Sequence, residues 1–242
     1  MSSQLFGAGG APIAQGLHVE SSVQMQNLGA IAFANDGRVF KYAKAGATAL
    51  VAGNLQQSRV EDTGDQALAV AAAALDATSV TTTSTVTVTA NQYAEGYLVV
   101  TSTSSPGYAY KIAGHAAATG AVVTINLVDP IKVALTATST IDLVPNNYDG
   151  VIINPTSQTG LIAGVATFVV TAAYFAWLQV QGPCAVEAQN ALTVGLDVVA
   201  SNDDNGCVES ITDGAHELLP HVGTAITGAA DGEFGLVELK MF

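Results

Sequence analysis

Helical periodicity is nearly absent from this chain, and short alternating or apolar runs closed by turn residues take its place. The clearest case is TSVTTTSTVTVTA, Thr78 to Ala90, where Thr and Val alternate with the period of a strand that has one face buried. Ala30–Ala34, the turn Asn35-Asp36-Gly37 and Arg38–Tyr42 read as a β-hairpin. So do Tyr97–Thr101 and Tyr108–Ile112 around a Ser-Ser-Pro-Gly turn. Further strands are expected at Val122–Val128, Ile131–Leu135, Thr140–Val144 and Val151–Ile153, several of them stopped by Pro or Asn. Later ones are expected at Leu196–Ala200, Val222–Thr227 and Phe234–Met241. DQALAVAAAALDA, Asp65 to Ala77, is open between the two states: Ala favours helix, but the run leads into the Thr/Val alternation, which favours strand. This spacing predicts an all-β chain of sandwich or barrel units, with a flexible N-terminal arm and little helix.

Composition narrows the function. Charged residues are 11% of the 242, and the formal net charge is −13, so no row of nucleic-acid phosphates can be neutralised. Hydrophobic residues reach 49%. With so little charge to cover a surface, some apolar area is expected to be buried against other chains. The opening MSSQLFGAGGAPIAQGLHVESS has no basic start and no sustained apolar run, so it reads as an arm and not as a secretion signal. It is either a plain tail or an arm that orders on a neighbour.

Leu161 to Leu178 is eighteen residues without a charge, long enough to test as a membrane span. No Lys or Arg flanks it, Gly164 interrupts it, and it is rich in β-branched residues; two consecutive buried strands are expected, with no membrane partner. Cys184 and Cys207 lack metal-type spacing and are expected to be small buried thiols.

Three divisions are expected: 1–64 as arm, basic hairpin and connector; 65–149 as a Thr-rich barrel-like unit; 150–242 as a second β unit with an acidic C-terminal part. No catalytic, cofactor or metal residues stand out. HELLPH, His216 to His221, spaces its histidines five apart around Pro220, so they do not share a helical face as in zinc proteases. NDDNG, Asn202 to Gly206, has the flavour of a calcium loop, but aligning Gly206 puts Ser201 where the first carboxylate belongs; a tight polar turn is expected. GAGGAP, Gly7 to Pro12, follows no strand and is no dinucleotide fingerprint. There is no nucleophile elbow and no Ser/His/Asp set, so the chain is not expected to be an enzyme.

Two features remain. Three of the seven Lys and Arg, namely Arg38, Lys41 and Lys44, fall within GRVFKYAKAG. Alternation puts Arg38, Phe40 and Tyr42 on one face of that strand and Val39, Lys41 and Ala43 on the other. The group reads either as an edge guarded by lysines or as a patch that steers the hairpin to an acidic partner. In TAAYFAWLQV both faces are apolar, so Phe175 and Trp177 lie either in the chain's own core or against a neighbouring subunit.

NDGRVFKYAKAGATALVAGNLQQ, Asn35 to Gln57, resembles the N-terminal signature of head decoration (capsid cement) proteins of tailed bacteriophages. QYAEGYLVV (Gln92–Val100), GYAYKIAGH (Gly107–His115) and Leu127 to Ala166 are similar to the same family. Ala173 to Ala188 fits too, except that Cys184 stands where a small residue is expected, and GLVELKMF suits the family's ending. Leu192 to Ala230 is less similar and its role stays open. The resemblance implies a structural protein with no catalytic residues or cofactors. It would bind the major capsid protein on the outer surface of the expanded virion shell after synthesis in the bacterial cytoplasm, as a homotrimer that ties capsomers together. Arg38, Lys41 and Lys44, with Phe40 and Tyr42, are then the expected capsid contacts. A phage tail or fibre component and a secreted adhesin or surface-layer module are the competing readings.

Overall fold

The structure is a computed structural model, and it describes residues 4–84, 87–102, 107–120, 122–212, 214 and 216–241. In chain order its strands are β1 (Leu5–Gly7), β2 (Ile31–Ala34), β3 (Val39–Ala45), β4 (Leu55–Gln57), β5 (Leu68–Ala69), β6 (Ser79–Thr83), β7 (Thr87–Val88), β8 (Tyr97–Val100), β9 (Ala109–His115) and β10 (Ala118–Thr119). They continue with β11 (Val122–Leu127), β12 (Thr140–Val144), β13 (Asp149–Ile153), β14 (Ile162–Ala166), β15 (Phe175–Glu187), β16 (Asp197–Ala200), β17 (Val208–Ser210), β18 (His221–Ala225) and β19 (Phe234–Lys240). The helical residues among those described are two single 3₁₀ turns, Thr63–Asp65 and His216–Leu218. The fold is all-β.

The chain divides into two compact units, and the division differs from the one expected. Residues 61–146 form one unit; residues 1–60 and 147–242 together form the other. The first and third stretches of sequence are thus one body. The reason is pairing: β13 lies antiparallel to β4, Ile152 opposite Gln57, and parallel to β3. The inner unit leaves and re-enters between two adjacent strands.

In the inner unit the strand order is β5-β12-β8-β9-β11-β6, and a bridge from Val70 to Thr82 links β5 back to β6, so the sheet curls into a barrel. Alternation does the sorting. In β11 the side chains of Val123, Ile125 and Leu127 go in and those of Val122, Thr124 and Asn126 go out. Valine, isoleucine and leucine from seven strands fill the interior. A carboxylate is also inside: Asp65 is fully buried, and accepts from Ser84 Oγ at 2.7 Å and from Tyr93 Oη at 2.5 Å. The Ala-rich run is no helix. Leu68 and Val70 are buried at alternate positions, and Ala73 pairs with Leu135. Ile131–Leu135 is correspondingly not a regular strand; Ile131 and Leu135 are pegs buried against that run. The Thr103–Pro106 part of the expected second hairpin turn lies outside the described residues, but β8 and β9 pair as a hairpin.

The outer unit is organised by β3 and β15. One side of β3 runs along β15 from Val39 to Lys44. Its other side pairs first with β2 and then with β13. Strands β3, β13, β4, β14 and β15 therefore close a ring. Past a bulge near Gln179, β15 continues along β19 from Gln181 to Glu187. β18, β16 and β17 follow, and a bridge from Ala188 to Val208 brings that sheet back to the end of β15.

Leu161–Leu178 is the turn-linked pair β14 and β15, with Ala166 opposite Leu178. No described helix is long and apolar enough to cross a membrane. The N-terminal segment corrects the expectation of a flexible arm. From Gln4 onward it is docked on its own unit: β1 pairs with β2, and Leu5, Ile13 and Leu17 are buried in the same cluster as Phe40 and Trp177. Its small and polar composition hid a few well-spaced apolar anchors.

Candidate functional site

The basic hairpin folds as expected locally. Ala34 N–H donates to Arg38 O at 2.9 Å across a three-residue loop, and Gly37 holds φ +89°, the left-handed conformation that glycine adopts without strain. Asp36 caps the loop: its carboxylate accepts from Arg38 N–H at 3.2 Å and from Arg38 Nε at 2.8 Å. Slight burial works to raise the Asp36 pKa, but these bonds and the guanidinium charge hold it below the usual carboxylate range.

Beyond the loop, β3 is neither an edge nor a single basic face. It is paired on both sides. Phe40 and Tyr42 are fully buried, which removes them as surface contacts for a partner. Tyr42 stacks on Phe175 with centroids 6.0 Å apart and tilts against Trp177 at 4.9 Å. Its hydroxyl donates to Gln15 Oε1 at 2.9 Å and accepts from Met25 N–H at 3.0 Å, and burial raises its pKa. Gln15 Nε2 in turn donates to the carbonyls of Val19 and Phe175, so this buried amide ties the N-terminal segment to β15. Phe175 and Trp177 accordingly belong to the chain's own core and are not exposed for a subunit interface.

The three cations are separated. Lys41, on the face opposite Phe40, is partly buried with Nζ 5.7 Å from the Tyr148 ring, and desolvation lowers its pKa. Lys44 Nζ sits 3.8 Å from Asp149 and 5.7 Å from the Phe175 ring. Arg38 lies over the edge of the core, 5.6 Å from the Phe40 ring centroid. Arg38, and neither lysine, lines a cleft of about 410 Å³ beside the hairpin.

That cleft lies where the outward faces of β15 and β19 meet the loop before β4. Phe234 and Leu236 alternate outward on β19 and are 56% and 36% exposed. The Phe234 ring occupies the space over Gly53, where a Cβ would stand 2.4 Å from the ring; Gly53 also has φ +78°. Cys184 lines the cleft as well. Burial pushes its thiol up to about 12, with the Arg38 charge opposing, so it is a protonated, unreactive group at neutral pH. Gln179 and Thr167 are the polar uncharged side chains of the lining. Gln179 Nε2 donates to the carbonyls of Gln181, Gly182 and Pro183, while Gln179 Oε1 and Thr167 Oγ1 are buried without a hydrogen-bond partner.

No protein-family model, no curated protein and no solved structure matches the chain. Its function is therefore argued from its residues.

Other sequence candidates resolve into ordinary structure. Asn202–Gly206 is a turn in which Ser201 Oγ accepts from the N–H groups of Asp203 and Asp204 at 3.0 and 3.3 Å. His216 lies in a 3₁₀ turn with Nε2 3.6 Å from the buried Glu209 carboxylate, and His221 starts β18. Both cysteines are free and buried. Among the described residues no three His, Cys, Asp or Glu side chains are placed to hold a metal ion. Sequence reasoning did not find the cleft. Only the outward alternation of Phe234 and Leu236 on the last strand hinted at it, because the other walls come from segments far apart in the chain.

Proposed function

We propose that this chain is a structural virion protein that binds the outer surface of the expanded capsid of a tailed bacteriophage and cements neighbouring capsomers. The observation that carries the reading is the resemblance of Asn35–Gln57, Leu127–Ala166 and Ala173–Ala188 to head decoration proteins. The all-β fold, the sparse charge and exposed apolar groups such as Phe234 and Leu218 support it. The mechanism is mechanical. Packaged DNA pushes the shell outward, and a protein that adds buried area across capsomer seams resists that push through many modest contacts repeated by symmetry. Because it binds only the assembled, expanded shell, it stabilises that state by linkage. Its partners are the major capsid protein and further copies of itself, as a trimer.

Quantitative mass spectrometry of purified virions tests this. A copy number near that of the major capsid protein is expected. A handful of copies would move the chain to the tail or a fibre. Complete absence from virions would overturn the reading and favour a surface-layer or adhesin role.

A further inference from the structure

Three features meet at the cleft beside the hairpin. Arg38 uses Nε for Asp36, and its two terminal nitrogens have no hydrogen-bond partner among the described residues. Two buried polar atoms of the lining, Gln179 Oε1 and Thr167 Oγ1, are unpartnered, and Gln179 is only 1% exposed. The remaining wall is largely apolar and includes the exposed Phe234 ring and Leu236. A buried polar atom left without a partner is costly, so this part of the lining is under-bonded in the free chain. The ion pair between Arg38 and Asp36 sits on an exposed turn, where it is weak enough to share its guanidinium.

We propose that this cleft is the docking site for an extended segment of the major capsid protein in which an apolar side chain is flanked by a carboxylate. The apolar side chain packs on Phe234 and Leu236. The carboxylate takes the two free nitrogens of Arg38 in the forked geometry that guanidinium favours. The charge argument selects an acidic peptide: one guanidinium matches one carboxylate and not a row of phosphates. Lys41 and Lys44 have no part in it, since neither lines the cleft and each is placed over an aromatic ring of its own unit. This rests on the virion reading above and narrows its docking surface from three cations to one.

The test uses expanded shells that lack this protein, with binding of the full chain read by co-sedimentation. Arg38→Gln and Phe234→Ala are each expected to weaken binding at least about tenfold, as losses at the centre of an interface do. Lys44→Gln is expected to stay within about twofold of the unaltered chain, because Lys44 does not line the cleft. Thermal midpoints of the free proteins show that each variant is folded, and Phe234→Ala carries the test if Arg38→Gln is not. If the unaltered chain binds and both cleft variants bind equally well, the cleft proposal is overturned while the virion reading stands. If the unaltered chain binds no shell, both fall. If the cleft variants instead convert a self-associated chain to a smaller species, the occupant is a second copy of this chain and the capsid segment is excluded.

Discussion

At the scale of single residues, the outer unit depends on polar atoms buried among aromatics. Tyr42 is the centre: its ring is stacked and its hydroxyl both donates and accepts. Tyr42→Phe keeps the ring and leaves Gln15 Oε1 and the Met25 N–H unpaired, so a loss of about 1–3 kcal/mol is expected in urea unfolding. Cys184 gives a pH dependence. Its thiol moves from 9.0 to about 12 through burial, so between those values the unfolded chain holds fewer protons than the folded one. Stability contributed by the protonated thiol is complete below pH 9 and is lost as pH rises towards 12. Cys184→Ala is expected to flatten the fall in urea midpoint between pH 8.5 and pH 10.5; equal slopes for the two proteins would refute the assignment. Lys41, whose pKa is lowered, acts in the opposite direction but equally in both proteins.

Among the elements, the N-terminal segment and β15 are coupled. Phe175 exchanges backbone hydrogen bonds with Ser21, and the Glu20 carboxylate accepts from the Thr171 N–H and hydroxyl. Leu5, Ile13 and Leu17 fill the space over Phe40 and Trp177. Each such burial contributes about 1.5–3 kcal/mol. Deleting residues 1–17 is therefore expected to cost more than about 4 kcal/mol and to speed amide exchange in β3. A freely moving arm would leave both unchanged.

For the whole molecule, the discontinuous outer unit makes a clear prediction. Gln57 lies opposite Ile152, and the Arg59 side chain passes within 4 Å of where a Gly150 Cβ would stand, so the points where the inner unit joins are neighbours. Insertions at such sites leave the host fold intact. Replacing residues 61–146 by a short Gly- and Asn-containing turn is expected to preserve the near-ultraviolet signal of Tyr42 and Trp177. Loss of that signal would mean that the outer unit needs the inner one to fold.

Local rules determined much of this protein from sequence alone. The Asn35-Asp36-Gly37 hairpin, the Thr/Val alternation, the paired strands within Leu161–Leu178 and the all-β class each follow from contacts between residues close in the chain. Tertiary structure decided what local rules leave open. A strand with two apolar faces, such as Phe175–Leu178, carries no period that says which face meets its own core, and the answer came from Tyr42 and Leu5 far away in sequence. Composition called the first residues an arm, yet Gln15 finds its partner 160 residues on. The cleft exists only because β15, β19 and the loops around Arg38 and Gly53 are brought together by ring closure. Such long-range pairing is fixed by the summed burial of the whole unit, and no short stretch of sequence contains it.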